Sequence, residues 1–224
     1  MLPPRFLFLM LLPGLLAPRP LPAQSTLSNV WVPDLGDGRY KNPVLYADYS
    51  DPDVIRVGRD YYLTASSFNC APGLPILHST DLVNWTIIGA ALRQQLPLAR
   101  YSQPQHGNGV WAPALRYHRR KFYLYYPDPD LGLFVTRADN PAGPWETPVL
   151  LKEAKGWIDP CPFWDDDGQA YLVHAFAGSR AGFKSVLAVS RMSADGLRLL
   201  GDEVLVFDGH EKHPTIEGPK LYKR

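Results

Sequence analysis

Three acids in this chain stand in the same local setting. Asp51 lies in Ser50-Asp51-Pro52-Asp53-Val54-Ile55, Asp159 in Ile158-Asp159-Pro160-Cys161-Pro162, and Glu217 in Ile216-Glu217-Gly218-Pro219. A fourth version, Trp111-Ala112-Pro113-Ala114-Leu115, carries alanine at the corresponding place. If the fold brings these positions together, the carboxylates can do two kinds of chemistry. One is general acid/base catalysis, with a third carboxylate raising the pKa of the acid by like-charge repulsion. The other is binding of a hard cation such as calcium. Any one of them alone reads as a turn residue. Three at an equivalent position, with Ala112 showing that the fold does not demand an acid there, favour a site. Asp53 is two residues beyond Asp51 and reads as a structural or supporting group. Asp60 and Asp165-Asp166-Asp167 read as hairpin-turn acids.

The elements that would position these acids repeat with them. The first unit, from about 42 to 89, predicts strands at 54–57, 61–66, 74–79 and 86–89, with a turn at Gly58-Arg59-Asp60. The second predicts strands at 114–117, 121–126, 133–136 and 149–151, and the third at 162–164, 170–174, 185–189 and 203–207. Trp85 and Trp145 each precede the last strand of a unit and read as core, and Ser193-Ala194-Asp195-Gly196 takes their place in the third. The unit starts are 61, 47 and 58 residues apart. Four short antiparallel strands per repeat of roughly 40–50 residues is the pattern of a β-propeller, longer units carrying loop insertions. A β-sandwich does not account for the recurring order. In a propeller, equivalent positions fall at equivalent places around the axis, so Asp51, Asp159 and Glu217 face one central cavity. The fourth unit has only begun at Arg224, so the reading is about three blades and the start of a fourth, the front part of a longer protein.

Composition agrees with this class. Twenty-three prolines argue against a helical bundle, and 12% aromatic residues suit sheet packing or sugar stacking. A net charge of +1 points to neither nucleic acid nor an anionic membrane surface. Residues 1–23 read as a secretory signal: Arg5, the apolar run Phe6 to Leu12, and Leu21-Pro22-Ala23 before Gln24. The apolar run is too short to span a bilayer, and no later one is longer. The expectation is a secreted or periplasmic protein. Residues 24–40 read as an extended leader, with a turn at Gly36-Asp37-Gly38. Cys70 and Cys161 read as two buried free thiols rather than a bridge, and no Cys/His spacing resembles a zinc site.

Glycoside hydrolysis requires a deprotonated base, a protonated acid and a polar group that sets the two apart. The motifs that carry a resemblance are Asn42-Pro43-Val44-Leu45, Ser50 to Arg56, Tyr61-Tyr62-Leu63-Thr64 and His78-Ser79-Thr80-Asp81-Leu82-Val83-Asn84-Trp85. Trp111-Ala112-Pro113, Ile158-Asp159-Pro160 and Ile216-Glu217-Gly218-Pro219 follow in order. Together, over roughly residues 41–224, they resemble glycoside hydrolase family 43. The resemblance implies an all-β, five-bladed β-propeller that hydrolyses xylose- and arabinose-containing glycans with inversion, as a β-xylosidase or α-L-arabinofuranosidase. It implies Asp51 as general base, Glu217 as general acid, and Asp159 as the group that orients the acid and raises its pKa. No cofactor is implied, although structural calcium remains open.

Sugar-contact candidates are Phe68 after the second strand of unit one, Trp111 before the inner strand of unit two, His106 in the Gln105-His106-Gly107-Asn108-Gly109 loop, and Arg180 in the Ala177 to Gly182 loop. The expected partner is a carbohydrate such as arabinoxylan or its oligosaccharides. Two alternatives stand beside the enzyme: a non-catalytic carbohydrate-binding propeller, and a fragment inactive because its ring does not close. A calcium-stabilised interaction propeller is a third.

Overall fold

The structure is a computed structural model that describes residues 31–223. The signal segment expected at 1–23 lies outside the described residues, as does the leader up to residue 30. Residues from Pro33 onward form one unit, and the description is of that unit. It opens with a small turn. Leu35 N–H donates to Arg39 O and Lys41 N–H to Pro33 O, with Gly36 and Gly38 at positive φ between them.

Twelve strands follow in three sheets of four. The first sheet is β1 (Asp53–Val57), β2 (Asp60–Thr64), β3 (Gly73–Ser79) and β4 (Thr86–Leu92). After a one-turn helix α1 (Leu98–Tyr101) comes the second, β5 (Ala114–His118), β6 (Lys121–Asp128), β7 (Gly132–Ala138) and β8 (Val149–Glu153). The third is β9 (Trp157–Trp164), β10 (Ala170–Phe176), β11 (Val186–Met192) and β12 (Leu199–Asp208), with a second one-turn helix α2 (Gly178–Ala181) after β10. Each sheet is an antiparallel meander in chain order. First strands adjoin, β1 beside β5 and β5 beside β9. These are the blades of a propeller, with their first strands at the axis.

The run Phe122-Tyr123-Leu124-Tyr125-Tyr126 shows why a nearly unbroken apolar segment is a strand here. Side chains alternate across a sheet. Phe122, Leu124 and Tyr126 pack with Leu74, Ile76 and Leu92 of the first blade. Tyr123 and Tyr125 pack with Trp157, Leu172 and Ala188 of the third. Both faces of β6 are buried, so the usual polar alternation disappears. Tyr125 also donates to Gly196 O at 2.7 Å. A Cβ on Gly196 would come within 2.4 Å of the Tyr125 hydroxyl and 2.8 Å of Trp164, so the turn that replaces the two Trp turns can pack here only as glycine.

Several expectations need correction. Trp85 is half-buried rather than core, whereas Trp145, also half-buried, packs against the core between the first two blades. Their indole N–H groups instead close their own turns, onto Leu82 O at 2.9 Å and Pro141 O at 3.1 Å. Cys70 is exposed and Cys161 buried, and both are free. Cys161 alone matches the reading of a buried thiol. Arg180 lies on α2 rather than in a loop. The third inner strand begins at Trp157, five residues before the expected start, so Asp159 lies within a strand.

Candidate active site

Asp51, Asp159 and Glu217 line one cavity of about 510 Å³, together with Trp111, Ala112 and Ile158. The fourth equivalent position, Ala112, is therefore on the same wall and leaves an apolar stretch between acids. The volume lies within the range of about 300–1,000 Å³ common for small-molecule sites.

Local backbone explains how the acids reach it. Asp51 (φ 49°) and Asp159 (φ 54°) both adopt the left-handed conformation directly before a proline. Asp is among the few side chains that tolerate this region, and strain of this kind gathers at functional sites. Asp51 is fixed by the first hairpin. Its two-residue turn, Gly58-Arg59, pairs Asp53 with Thr64. Continuing that register brings Asp51 opposite Ser66. Ser66 N–H donates to Ser50 O at 3.0 Å, and Ser66 Oγ donates to Asp51 Oδ2 at 2.7 Å. Asp159 reaches the cavity differently. The β9–β10 register shifts between Val173 and Ala175, opposite Asp159-Pro160, where proline has no N–H to give the ladder.

Asp159 Oδ2 accepts the Gly218 N–H at 2.7 Å, tying it to the residue after Glu217. Burial pushes the Asp159 carboxyl up to about 6; the Glu217 and Asp51 charges add to this, while the Gly218 N–H and Lys220 oppose it. Lys184 also lines the cavity, and its Nζ donates to Thr215 Oγ1 at 3.1 Å, two residues before Glu217. Among the described residues no group of three His, Cys, Asp or Glu side chains is arranged to hold a metal ion.

The four sugar-contact candidates separate. Trp111 lines the cavity. Its indole N–H donates to Gly107 O at 2.7 Å, and the Arg180 guanidinium lies 5.1 Å from its ring centroid. Phe68, His106 and Arg180 are not on the cavity wall. Phe68 forms a bridge with Val110, and its carbonyl also accepts from Gln95. His106 is exposed in its loop. Arg180 donates from all three nitrogens, to Asp130 Oδ1, Ser179 Oγ and Asn108 Oδ1. Its guanidinium thus lies against the Trp111 ring while tied to the second blade.

Sequence reasoning missed Ser66, Lys184 and the Gly218 N–H. Ser66 was accessible from the hairpin register. The Lys184 and Gly218 contacts span 31 and 59 residues.

With this geometry in view, comparison with known proteins is specific. The family model described as glycosyl hydrolases family 43 matches residues 40–224. A protein of Xylanibacter ruminicola is 43% identical over 197 residues, covering 85% of this chain and 34% of the relative. A beta-xylosidase of Formosa agariphila is 35% identical, covering 85% and 33%. The crystal structure of a xylan beta-1,4-xylosidase from Bacillus Halodurans superposes with a TM-score of 0.72 at 34% identity, over 83% of this chain and 37% of that one. The chain thus spans about a third of the length of the curated relatives it matches. The architecture of these neighbours is the five-bladed β-propeller, of which this chain holds three blades and the start of a fourth. In sequence and fold, the chain belongs to glycosyl hydrolases family 43.

Proposed function

We propose that the protein hydrolyses O-glycosidic bonds of xylose- or arabinose-containing glycans by inverting general acid/base catalysis. The observation that carries this is the convergence of Asp51, Asp159 and Glu217 on one cavity, with Asp159 pushed up to about 6. Asp51, its carboxylate oriented by the Ser66 hydroxyl, takes the proton from a water molecule as that water attacks the anomeric carbon. Glu217 gives its proton to the departing glycosidic oxygen. Asp159 holds the backbone beside Glu217 through Gly218 and so orients the acid toward the glycosidic oxygen. Inversion requires base and acid on opposite faces of the sugar, with carboxyls about 6.5–9.5 Å apart to admit the water. Trp111, clamped by Arg180, offers a ring for stacking on the sugar.

The test is Asp51→Ala and Glu217→Ala in the full-length protein. Asp51→Ala is expected to abolish hydrolysis of every xyloside and arabinofuranoside, and Glu217→Ala that of substrates whose leaving alcohol must be protonated; NMR of the wild-type product should show the inverted anomer first. Wild-type rates in both variants would end the assignment. The raised pKa also favours a second reading, in which Asp159 itself is the donor. That reading predicts that Asp159→Ala, and not Glu217→Ala, is rescued by a leaving group that needs no proton. We further propose export, from the segment at 1–23. Among the described residues no helix is long and apolar enough to cross a membrane.

A further inference from the structure

One level along the inner strands from the acids lies a charged cluster, of which only Lys220 bears on the acids above, by opposing the rise of Asp159. Asp53 is 5% exposed, and its carboxylate is fully engaged. Oδ2 accepts the Leu115 N–H at 2.8 Å and Arg116 Nη1 at 2.6 Å, and Oδ1 accepts Lys220 Nζ at 2.9 Å. Arg116 Nη2 continues to Cys161 Sγ at 2.9 Å, and the same sulfur accepts the Leu221 N–H at 3.3 Å. Asp53, Arg116, Cys161 and Lys220 come from the four successive repeats.

The three sheets share no ladder, so no main-chain pairing joins one inner strand to the next. On the axial side, residues 217–221 are held at three points: Gly218 to Asp159, Lys220 to Asp53, and Leu221 to Cys161. Two of these three belong to the cluster. A buried ion pair is a poor device for stability alone, because desolvation offsets much of the attraction and an apolar pair often does as well. Its advantage is that only one register satisfies the charges. Lys220 is three residues from Glu217, so a slip of this segment moves both.

We propose that Asp53 is a positioning residue for Glu217: through Lys220, and through the Arg116–Cys161 contact, it fixes where the 217–221 segment sits at the axis and hence the reach of Glu217 to the glycosidic oxygen. The inference rests on the proposed role of Glu217 as the acid. A displacement of about 1 Å of such a group costs on the order of 10²-fold in rate.

The experiment uses full-length protein carrying Asp53→Asn, Lys220→Met or Glu217→Ala. Two substrates of the sugar that the wild type accepts are compared. One is a disaccharide, whose leaving alcohol must be protonated, and the other a 2,4-dinitrophenyl glycoside, whose leaving phenol needs no proton. A group that supports the acid is expected to lose on the order of 10²-fold in kcat on the disaccharide and less than ~10-fold on the dinitrophenyl glycoside. A merely structural residue slows both alike. Lys220, whose side chain is 35% exposed, carries the test should Asp53→Asn fail to fold by circular dichroism. Selective loss in Lys220→Met, and in Asp53→Asn where it folds, supports the inference. Equal slowing of both substrates, or slowing of neither, in Lys220→Met overturns it while leaving Glu217 as the acid. Absence of selective loss in Glu217→Ala overturns the proposed function and this inference with it.

Discussion

Replacing Asp159 by asparagine should make the protein more stable at neutral pH. The carboxyl moves from its ordinary 3.8 to about 6, with burial the largest cause. Each tenfold in a proton equilibrium corresponds to about 1.4 kcal/mol, so holding Asp159 charged at pH 7.5 costs the folded state about 2–3 kcal/mol. Asparagine removes the charge, and its carbonyl can still accept the Gly218 N–H. The pH dependence sharpens the expectation. A carboxyl raised in the folded state binds a proton there before the unfolded chain does, so its cost is present above pH 6 and disappears as pH falls from 6 to 3.8. His174 acts in the opposite sense. It is 1% exposed and stacked on Trp157 at 3.6 Å, and burial lowers it from 6.5 to about 4. The unfolded chain takes up that proton first, so stability falls as pH drops from 6.5 to 4. In the wild type the two effects largely cancel between pH 6 and 4. In Asp159→Asn only the histidine remains. Urea denaturation followed by tryptophan fluorescence at pH 7.5, 5 and 4 reads both effects. The variant should gain about 2–3 kcal/mol at pH 7.5 and converge on the wild type near pH 4. Equal or lower stability of the variant at pH 7.5 would refute the reasoning that a buried charge is held here against its solvation.

Other outcomes follow from single contacts. Ser66→Ala removes the hydroxyl that orients Asp51 and should lower kcat by about 10- to 100-fold with little change in KM, since truncation loses one charge-assisted hydrogen bond of about 1.5–3 kcal/mol; an unchanged kcat counts against the base assignment. Arg180→Met frees one face of Trp111 and breaks the link to Asp130 and Asn108, so KM should rise several-fold more than kcat falls, measured by initial rates. Arg119 and Arg120 form the β5–β6 turn with φ of 46° and 66°. Arg119→Asn with Arg120→Gly should therefore raise stability by about 1 kcal/mol in thermal denaturation at unchanged activity.

Much of the architecture was legible in the chain. The twelve strands follow from apolar runs bounded by turn residues, and a recurring order of four implies blades. The equivalence of Asp51, Ala112, Asp159 and Glu217 then follows from their place in each repeat, because a propeller sets equivalent positions around one axis. The Arg119-Arg120 turn was not legible as a left-handed pair, since neither residue prefers positive φ; the tight hairpin imposes it. The bulge opposite Asp159 was hidden for a related reason. Register beyond a turn can be counted in the first hairpin, where it reaches Ser66, but an irregularity in the ladder breaks the count.

The repeat and the acids that recur in it are therefore written in the chain, because both depend on local pattern. Tertiary structure alone decided which groups surround those acids. Arg180 is tied to Asp130 and Asn108, which reach it from another blade, and lies beside the Trp111 ring. Asp53 became a junction of three repeats because Arg116 and Lys220 arrive from 63 and 167 residues away. The pKa of Asp159 likewise depends on burial and on charges that only the assembled blades bring together.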